Sequence, residues 1–387
     1  MLRAMAPVRI LHCHSTFSLG GKEARAVRLM NAFGDAAEHD VLSAVPGRLG
    51  AQDSISRGVE VRFPRDAPPL AGPPTPLRLL RLARYMRGFD LVLTYNWGAF
   101  DAVMARRLFG KVLKLPPLVH HEDGFNEDEA ERLNPKRNLY RRLGLPAAHR
   151  LVVPSERLEK VALGPWRQPR ERVERIPNGV AVSSYSRRPP GPIPGLNMVE
   201  GEIVVGTVAG LRAVKNLPRL VRAVAAMTAK NVRLVIVGEG PESERIVAEA
   251  RACGVADRLV LPGFLPDPAR WIGAFDVFAL SSDSEQFPIS LVEAMAAGLP
   301  VVSTDVGDVA AMLAADNRPL VVAPADEAAF GAALDSLAER ADLRRAIGRA
   351  NREHAAAHYG EAAMIARYSR LYGEAIGRPD AFMTPAP

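Results

Sequence analysis

Ser284-Glu285-Gln286-Phe287-Pro288-Ile289-Ser290-Leu291-Val292-Glu293-Ala294-Met295-Ala296-Ala297-Gly298 is the stretch on which the fold turns. Val277-Phe278-Ala279-Leu280-Ser281-Ser282 precedes it, and Leu299-Pro300-Val301-Val302-Ser303-Thr304-Asp305-Val306-Gly307 follows it. Both flanks are short apolar runs bounded by hydroxyl, acidic or glycine residues, the pattern of buried strands. Between them, Pro288 suits a first helical position, where its missing N–H has no bond to lose, and Gly298 with Leu299-Pro300 supplies a stop. Strand, acidic loop, helix and strand make a βαβ unit of a parallel sheet, and ligands of such sheets bind beyond the carboxyl ends of the strands. Glu285 falls in the loop and Glu293 in the helix. Both lie near the helix end that carries unpaired N–H groups and partial positive charge, so a phosphate there would have a carboxylate on each side to accept sugar hydroxyls. This is the arrangement a nucleotide sugar needs, although an acid early in a helix also stabilises the macrodipole wherever it occurs.

A chain of 387 residues is long for one core and implies two domains. The 48% hydrophobic and 24% charged content is that of a water-soluble α/β protein. Two cysteines, Cys13 and Cys253, have neither metal spacing nor an evident pairing, which points to a reducing compartment. The first residues enter a strand directly, and no run of about 20 apolar residues occurs, so neither a signal peptide nor a spanning helix is expected. A cytoplasmic location follows. The net charge of +7 calls for an anionic partner. Nucleic acid is disfavoured, because the excess is mostly Arg in a chain rich in Ala, Gly and Pro. One cluster stands out: Arg132, Lys136, Arg137, Arg141, Arg142 and Arg150 around a helix expected at 138–143. It reads either as a solvated face or as a peripheral contact with the inner face of the plasma membrane or with lipid phosphate.

Further strands are expected at 8–12, 39–43, 59–63, 91–94 and 118–121, and another unit begins at 151–156. Helices are expected at 22–33 and 76–87, with a Pro-rich surface loop at 67–74. Residues 1–180 form a first domain, the Ser-, Arg- and Pro-rich stretch 181–199 a linker, and 200–360 a second domain with strands at 202–208, 232–237 and 259–261. A helix from Glu361 to Gly377 and a loose tail close the chain. After the first strand, Gly20-Gly21 opens a helix, and glycine lets backbone approach phosphate without an intervening Cβ. The spacing is not G-x-G-x-x-G, which disfavours a dinucleotide cofactor. Arg212 and Lys215 follow the strand at 202–208. Two cations three residues apart can face one diphosphate, or can be surface charges at a helix start. Gly238-Glu239 and Gly263-Phe264 follow two other strands, where tight turns explain the glycines equally well. Asn96-Trp97 and His120-His121 end two strands of the first domain.

In this order the motifs resemble the retaining, nucleotide-sugar-dependent glycosyltransferases of family 4, which have the GT-B fold. The resemblance runs from Gly20-Gly21 to Tyr372 and includes Ile176-Pro177-Asn178-Gly179-Val180 before the linker. It implies an α/β architecture of two Rossmann-like doubly wound domains facing a central cleft, with the C-terminal helix crossing back to the first. By the resemblance, Gly20 and Gly21 face the donor diphosphate, with Glu23 following them. Lys215 meets the leaving phosphate, together with Arg212, although the family's usual arginine position is here Gly210. Gly238, Glu239, Gly263 and Phe264 lie against the nucleobase and ribose, Glu293 binds ribose hydroxyls, and Glu285 lies by the donor sugar. Backbone contacts fall to Phe287, Ile289 or Ser290, since Pro288 has no N–H and Gln286 replaces the usual Gly. His121 or His120 would approach the anomeric centre, with Asn96 and Trp97 on the acceptor side. No Asp-x-Asp pair occurs, so no metal or other cofactor is called for, and the cations would do that work. The expected activity is sugar transfer to an acceptor hydroxyl in glycan or glycolipid assembly, the acceptor being open and including lipid-linked molecules. The alternatives are a nucleotide-sugar epimerase or phosphorylase of the same fold, or a non-catalytic nucleotide-sugar-binding protein.

Overall fold

A computed structural model describes residues 6–125, 129, 133–186, 191–197 and 199–382. The chain divides into two compact units, Met1–Pro177 with Ala363–Pro387, and Asn178–Ala362.

In the first unit the strands are β1 (Val8–His14), β2 (Ala37–Ser43), β3 (Val61–Arg62), β4 (Leu91–Tyr95), β5 (Leu118–His121), β6 (Arg150–Val153) and β7 (Val173–Arg175). They pair in the order β3-β2-β1-β4-β5-β6-β7, all parallel. Helices α1 (Gly21–Phe33), α2 (Pro76–Met86), α3 (Phe100–Phe109), α4 (Pro135–Gly144) and α5 (Glu156–Leu163) connect them. Alternation along the strands feeds two cores. Leu11, Cys13, Val92, Leu118 and Leu151 point to one face, and Ile10, Leu91, Leu93, Val119 and Val152 to the other. The chain builds outward from β1 to β3 and then resumes at β4 on the other side of β1. The β1/β4 boundary is therefore the unit's topological switch point.

In the second unit β8 (Ile203–Val208), β9 (Val232–Val237), β10 (Leu259–Gly263), β11 (Val277–Leu280), β12 (Val301–Thr304) and β13 (Val321–Val322) pair in the order β10-β9-β8-β11-β12-β13, again all parallel. Its helices are α6 (Leu217–Ala226), α7 (Ser243–Ala252), α8 (Ile289–Ala296), α9 (Val309–Met312), α10 (Glu327–Glu339) and α11 (Ala341–His358). Here the switch point lies between β8 and β11. Gly206 in β8 is required by packing: a Cβ there would stand 2.3 Å from ring carbons of the buried Phe275. Gly206→Ala should destabilise the unit by about 1–3 kcal/mol through overpacking, read as a lower denaturant midpoint. The last helix, α12 (Glu361–Ala375), returns the chain to the first unit, where Met364, Tyr368, Leu371 and Tyr372 complete the second core face.

Several boundaries differ from expectation for local reasons. Pro288 is the N-cap of α8 and not its first helical residue. The helix expected at 138–143 starts at Pro135, because Asn134 caps it by accepting from the N–H groups of Lys136 (2.9 Å) and Arg137 (3.3 Å). Within 181–199, Tyr185 and Ile193 are buried in the core of the second unit. The basic cluster is not one solvated face. Arg141 is buried, ion-paired to Glu129 at 3.0 Å, and its guanidinium lies over the rings of Trp97, Phe125 and Trp166. Arg137 shares Glu129, Arg142 donates to the carbonyl of Pro165 and Arg150 to that of His149. Arg132 and the tail from residue 383 lie outside the described residues.

Candidate functional site

In the second unit two of the expected donor residues, Lys215 and Glu285, meet at the switch point. The loop after β8 carries Arg212 and Lys215; the loop after β11 carries Glu285. Lys215 Nζ donates to Glu285 Oε1 at 2.5 Å, and Ser282 donates to the same oxygen at 2.7 Å. Ser281 Oγ donates to the carbonyl of Lys215 at 3.0 Å, and the Asp283 N–H donates to the carbonyl of Val214 at 2.8 Å. The two loops are thus tied through backbone as well as through charge. A third loop, after β12, closes on them. Gly307 (φ +60°) packs so near that a Cβ would be 2.3 Å from the carbonyl oxygen of Glu285.

Glu293 lies in the second turn of α8, nearly buried, and accepts from Tyr185 at 3.3 Å. The start of α8 has no side-chain cap, and Ile289 and Ser290 are half-buried there. Phe287 packs edge-on to Tyr359. The loop after β9 is pressed onto the loop after β8. A Cβ on Gly238 (φ +142°) would be 1.9 Å from the carbonyl oxygen of Ala209. Glu239 is exposed, and its carboxylate accepts from the Phe264 N–H at 3.4 Å, while the Gly238 N–H donates to the carbonyl of Gly263. Phe264 itself is 51% exposed, a large apolar ring left open at a strand end. Arg212 is exposed. At the switch point a lysine thus stands beside a nearly buried carboxylate, groups able to meet a phosphate and a hydroxyl.

In the first unit the loop after β1 leads to Gly20, the N-cap of α1, and Gly21, its first residue. Glu23 folds back over this helix start, accepting from Lys22 and from Thr16 Oγ1 at 3.4 Å. Burial pushes its carboxyl up, opposed by Lys22. The loop after β4 carries Asn96 (φ +58°), whose Oδ1 accepts from the Asp123 N–H at 2.7 Å. Asn96 therefore holds the loop after β5 in place. Trp97 stacks on Phe100 and receives Arg137 and Arg141 on its face.

His120 and His121, expected beside the transferred sugar, are fully buried. His121 bonds through Nδ1 to the carbonyl of Thr94 at 3.1 Å and through Nε2 to the hydroxyl of Tyr372 at 2.8 Å. His120 Nδ1 pairs with Thr94 Oγ1 at 2.8 Å. Each ring is thus engaged inside the first unit and presents no surface of its own.

Residues 19–184 match the family described as Glycosyltransferase Family 4, and residues 194–354 match Glycosyl transferases group 1. The chain has the GT-B fold, and a glycosyltransferase family model matches each of its halves. The 2-deoxystreptamine glucosyltransferase of Streptomyces kanamyceticus is 30% identical over 184 residues, 45% of this chain and 47% of that one. The chain thus spans about half the length of that curated relative. The D-inositol 3-phosphate glycosyltransferase of Nocardia farcinica is 27% identical over 380 residues, covering 89% of this chain and 81% of that one. Among solved structures, Anabaena HepE in complex with UDP has the same fold, with a TM-score of 0.74 at 16% identity, covering 95% of this chain and 100% of that chain.

In this GT-B chain, several site residues escaped the sequence reading. Tyr185 lies in what reads as linker, and nothing local marks it as the partner of Glu293. Arg25 and Asp123 form a buried forked ion pair, with Tyr368 beneath the guanidinium. Around it sit His12, His14, His39, Tyr95 and Tyr372, with His12 Nε2 3.0 Å from His39 Nδ1. Burial holds His12, His14 and His121 well below the usual 6.5, and brings His39 down to about 4. A histidine depressed in the folded state is stabilising in its neutral form above its unfolded pKa, and this contribution is lost as protons bind the unfolded chain first. The GT-B protein should therefore lose melting temperature as pH falls from 6.5 to 4. A flat profile across that window would show that the histidines are not held neutral.

Proposed function

We propose that the chain transfers a sugar from a nucleoside-diphosphate donor to an acceptor hydroxyl, with retention at the anomeric carbon. The observation that carries this reading is the meeting of Lys215 and Glu285 at the β8/β11 switch point, with Glu293 in the helix that follows. An ion pair on two loops at the position where doubly wound sheets bind ligands offers a cation to an anion and a carboxylate to a polyol. In this reading the diphosphate takes over Lys215 from Glu285 and caps the start of α8 through the N–H groups of Ile289 and Ser290. Arg212 supplies a second cation. Glu285, freed from Lys215, accepts hydroxyls of the sugar, and Glu293 accepts those of the ribose, with Tyr185 fixing its orientation. Gly238, Glu239, Gly263 and Phe264 form the edge for the base, and Gly20 and Gly21 leave the start of α1 without a Cβ that would keep phosphate from its backbone.

In the transfer step the bond from the anomeric carbon to the diphosphate oxygen breaks, and the acceptor oxygen bonds on the same face. The acceptor proton passes to a departing phosphate oxygen. Lys215 and Arg212 neutralise the charge that grows on the leaving group, so no metal is assigned a role. His121 acts here as a positioning residue, bracing the end of β5 against Tyr372. Asn96 does the same for the loop that holds Asp123, and Trp97 remains an acceptor-side candidate. The acceptor class is open and includes lipid-linked glycans.

Thermal melting with UDP, GDP, ADP and TDP, each with and without EDTA, tests the reading. One nucleotide should raise the melting temperature irrespective of EDTA, since at a hundredfold excess over Kd binding adds about 2.7 kcal/mol of stability. No shift with any of them would refute it. Product analysis with the matching sugar donor then separates transfer from epimerisation and phosphorolysis.

A further inference from the structure

We propose that the outward face of α4, with the end of α3 beside it, is a docking surface for an anionic lipid bilayer. Helix α4 is inverted relative to its sequence. At 100° per residue, Arg137, Tyr140, Arg141 and Gly144 share one stripe, and Leu139 and Leu143 lie on the opposite one. A helix of this composition ordinarily turns leucine inward and arginine outward. Here Arg141 is 1% exposed while Leu139 is 55% and Leu143 52% exposed.

The inversion has a local cause. Glu129 pairs with Arg141 and Arg137, and the rings of Trp97 and Trp166 receive the guanidinium of Arg141. Gly144 packs on α3: a Cβ there would lie 2.7 Å from Phe100 and 2.9 Å from Met104 Sδ. One turn beyond Met104 on α3 is Leu108, 52% exposed, and in the turn that follows is Val112, 82% exposed. Four large apolar side chains are thus left to solvent on two elements in direct contact.

Charge complementarity names the occupant. Lys136 is exposed on α4 and Arg142 flanks the leucines; Arg107, Lys111 and Lys114 are exposed at the end of α3. No Asp or Glu occurs from 102 to 121 or from 132 to 155. Leucines flanked by cations with no acid among them suit insertion at a headgroup boundary, where apolar side chains enter the acyl region and lysines stay with phosphate.

The test is sedimentation of the full chain with vesicles of phosphatidylglycerol and phosphatidylcholine against vesicles of phosphatidylcholine alone. Binding is expected only to the anionic vesicles. Leu139→Asn with Leu143→Asn should weaken it by about tenfold or more without lowering the melting temperature, since both side chains are already exposed. Lys111→Glu with Lys136→Glu should weaken it comparably and make what remains less sensitive to salt, because the screened attraction has been removed. Failure to bind anionic vesicles would overturn the proposal. So would binding that the leucine pair leaves unchanged, which would report the net charge alone, or self-association abolished by the same pair, which would place a second copy on this face. None of these readings depends on nucleotide binding.

Discussion

Lys215→Met should lower turnover by about 10²- to 10³-fold, the loss expected when one preorganised charge facing a leaving group is removed. The structure makes this more than a charge count. Lys215 holds Glu285, which is only 8% exposed, so the single variant also leaves a nearly buried carboxylate with Ser282 as its remaining hydrogen-bond donor. A fall in stability of about 1–3 kcal/mol should accompany the fall in rate. Lys215→Met combined with Glu285→Gln separates the two effects. The amide no longer needs a cation, so the double variant should recover the melting temperature, while nucleoside-diphosphate release stays as slow as in the single variant. Recovery of both together would make the ion pair purely structural.

Glu293→Ala should weaken nucleoside-diphosphate binding by about 10- to 100-fold, the range of one or two charge-assisted hydrogen bonds to a ribose. Titration calorimetry reads it directly. Tyr185 is the internal control: it donates to Glu293 at 3.3 Å and has no expected contact with the ligand of its own. Tyr185→Phe should cost far less, because the carboxylate remains and loses only an orienting donor. An equal loss in both variants would mean that Glu293 acts by holding Tyr185 and the core around it.

Much of this was legible in the sequence, and the reason is geometric. Strands buried on both faces write themselves as apolar runs, so β1, β8, β9, β11 and β12 could be located closely. Loops at their carboxyl ends then carry the chemistry, and Lys215 and Glu285, 70 residues apart, meet because their strands are neighbours. What was not legible depends on side-chain direction. His120 and His121 sit at a strand end like any site residue, yet both point into packed surroundings. Arg141 reads as a surface cation because neither Glu129 nor the facing tryptophans are near it in any periodic sense. Tyr185 falls in a stretch with no apolar period, so its burial could not be read. Local pattern gives the element and its end; the partner across a fold-wide separation decides which way a residue faces.

The most direct test of the central claim is a crystal structure with the nucleoside diphosphate that gives the largest thermal shift. The account predicts density for the diphosphate between Lys215 and the start of α8, with the ribose on Glu293 and Glu285 released from the lysine. A diphosphate bound elsewhere, with the Lys215–Glu285 pair intact, would contradict it.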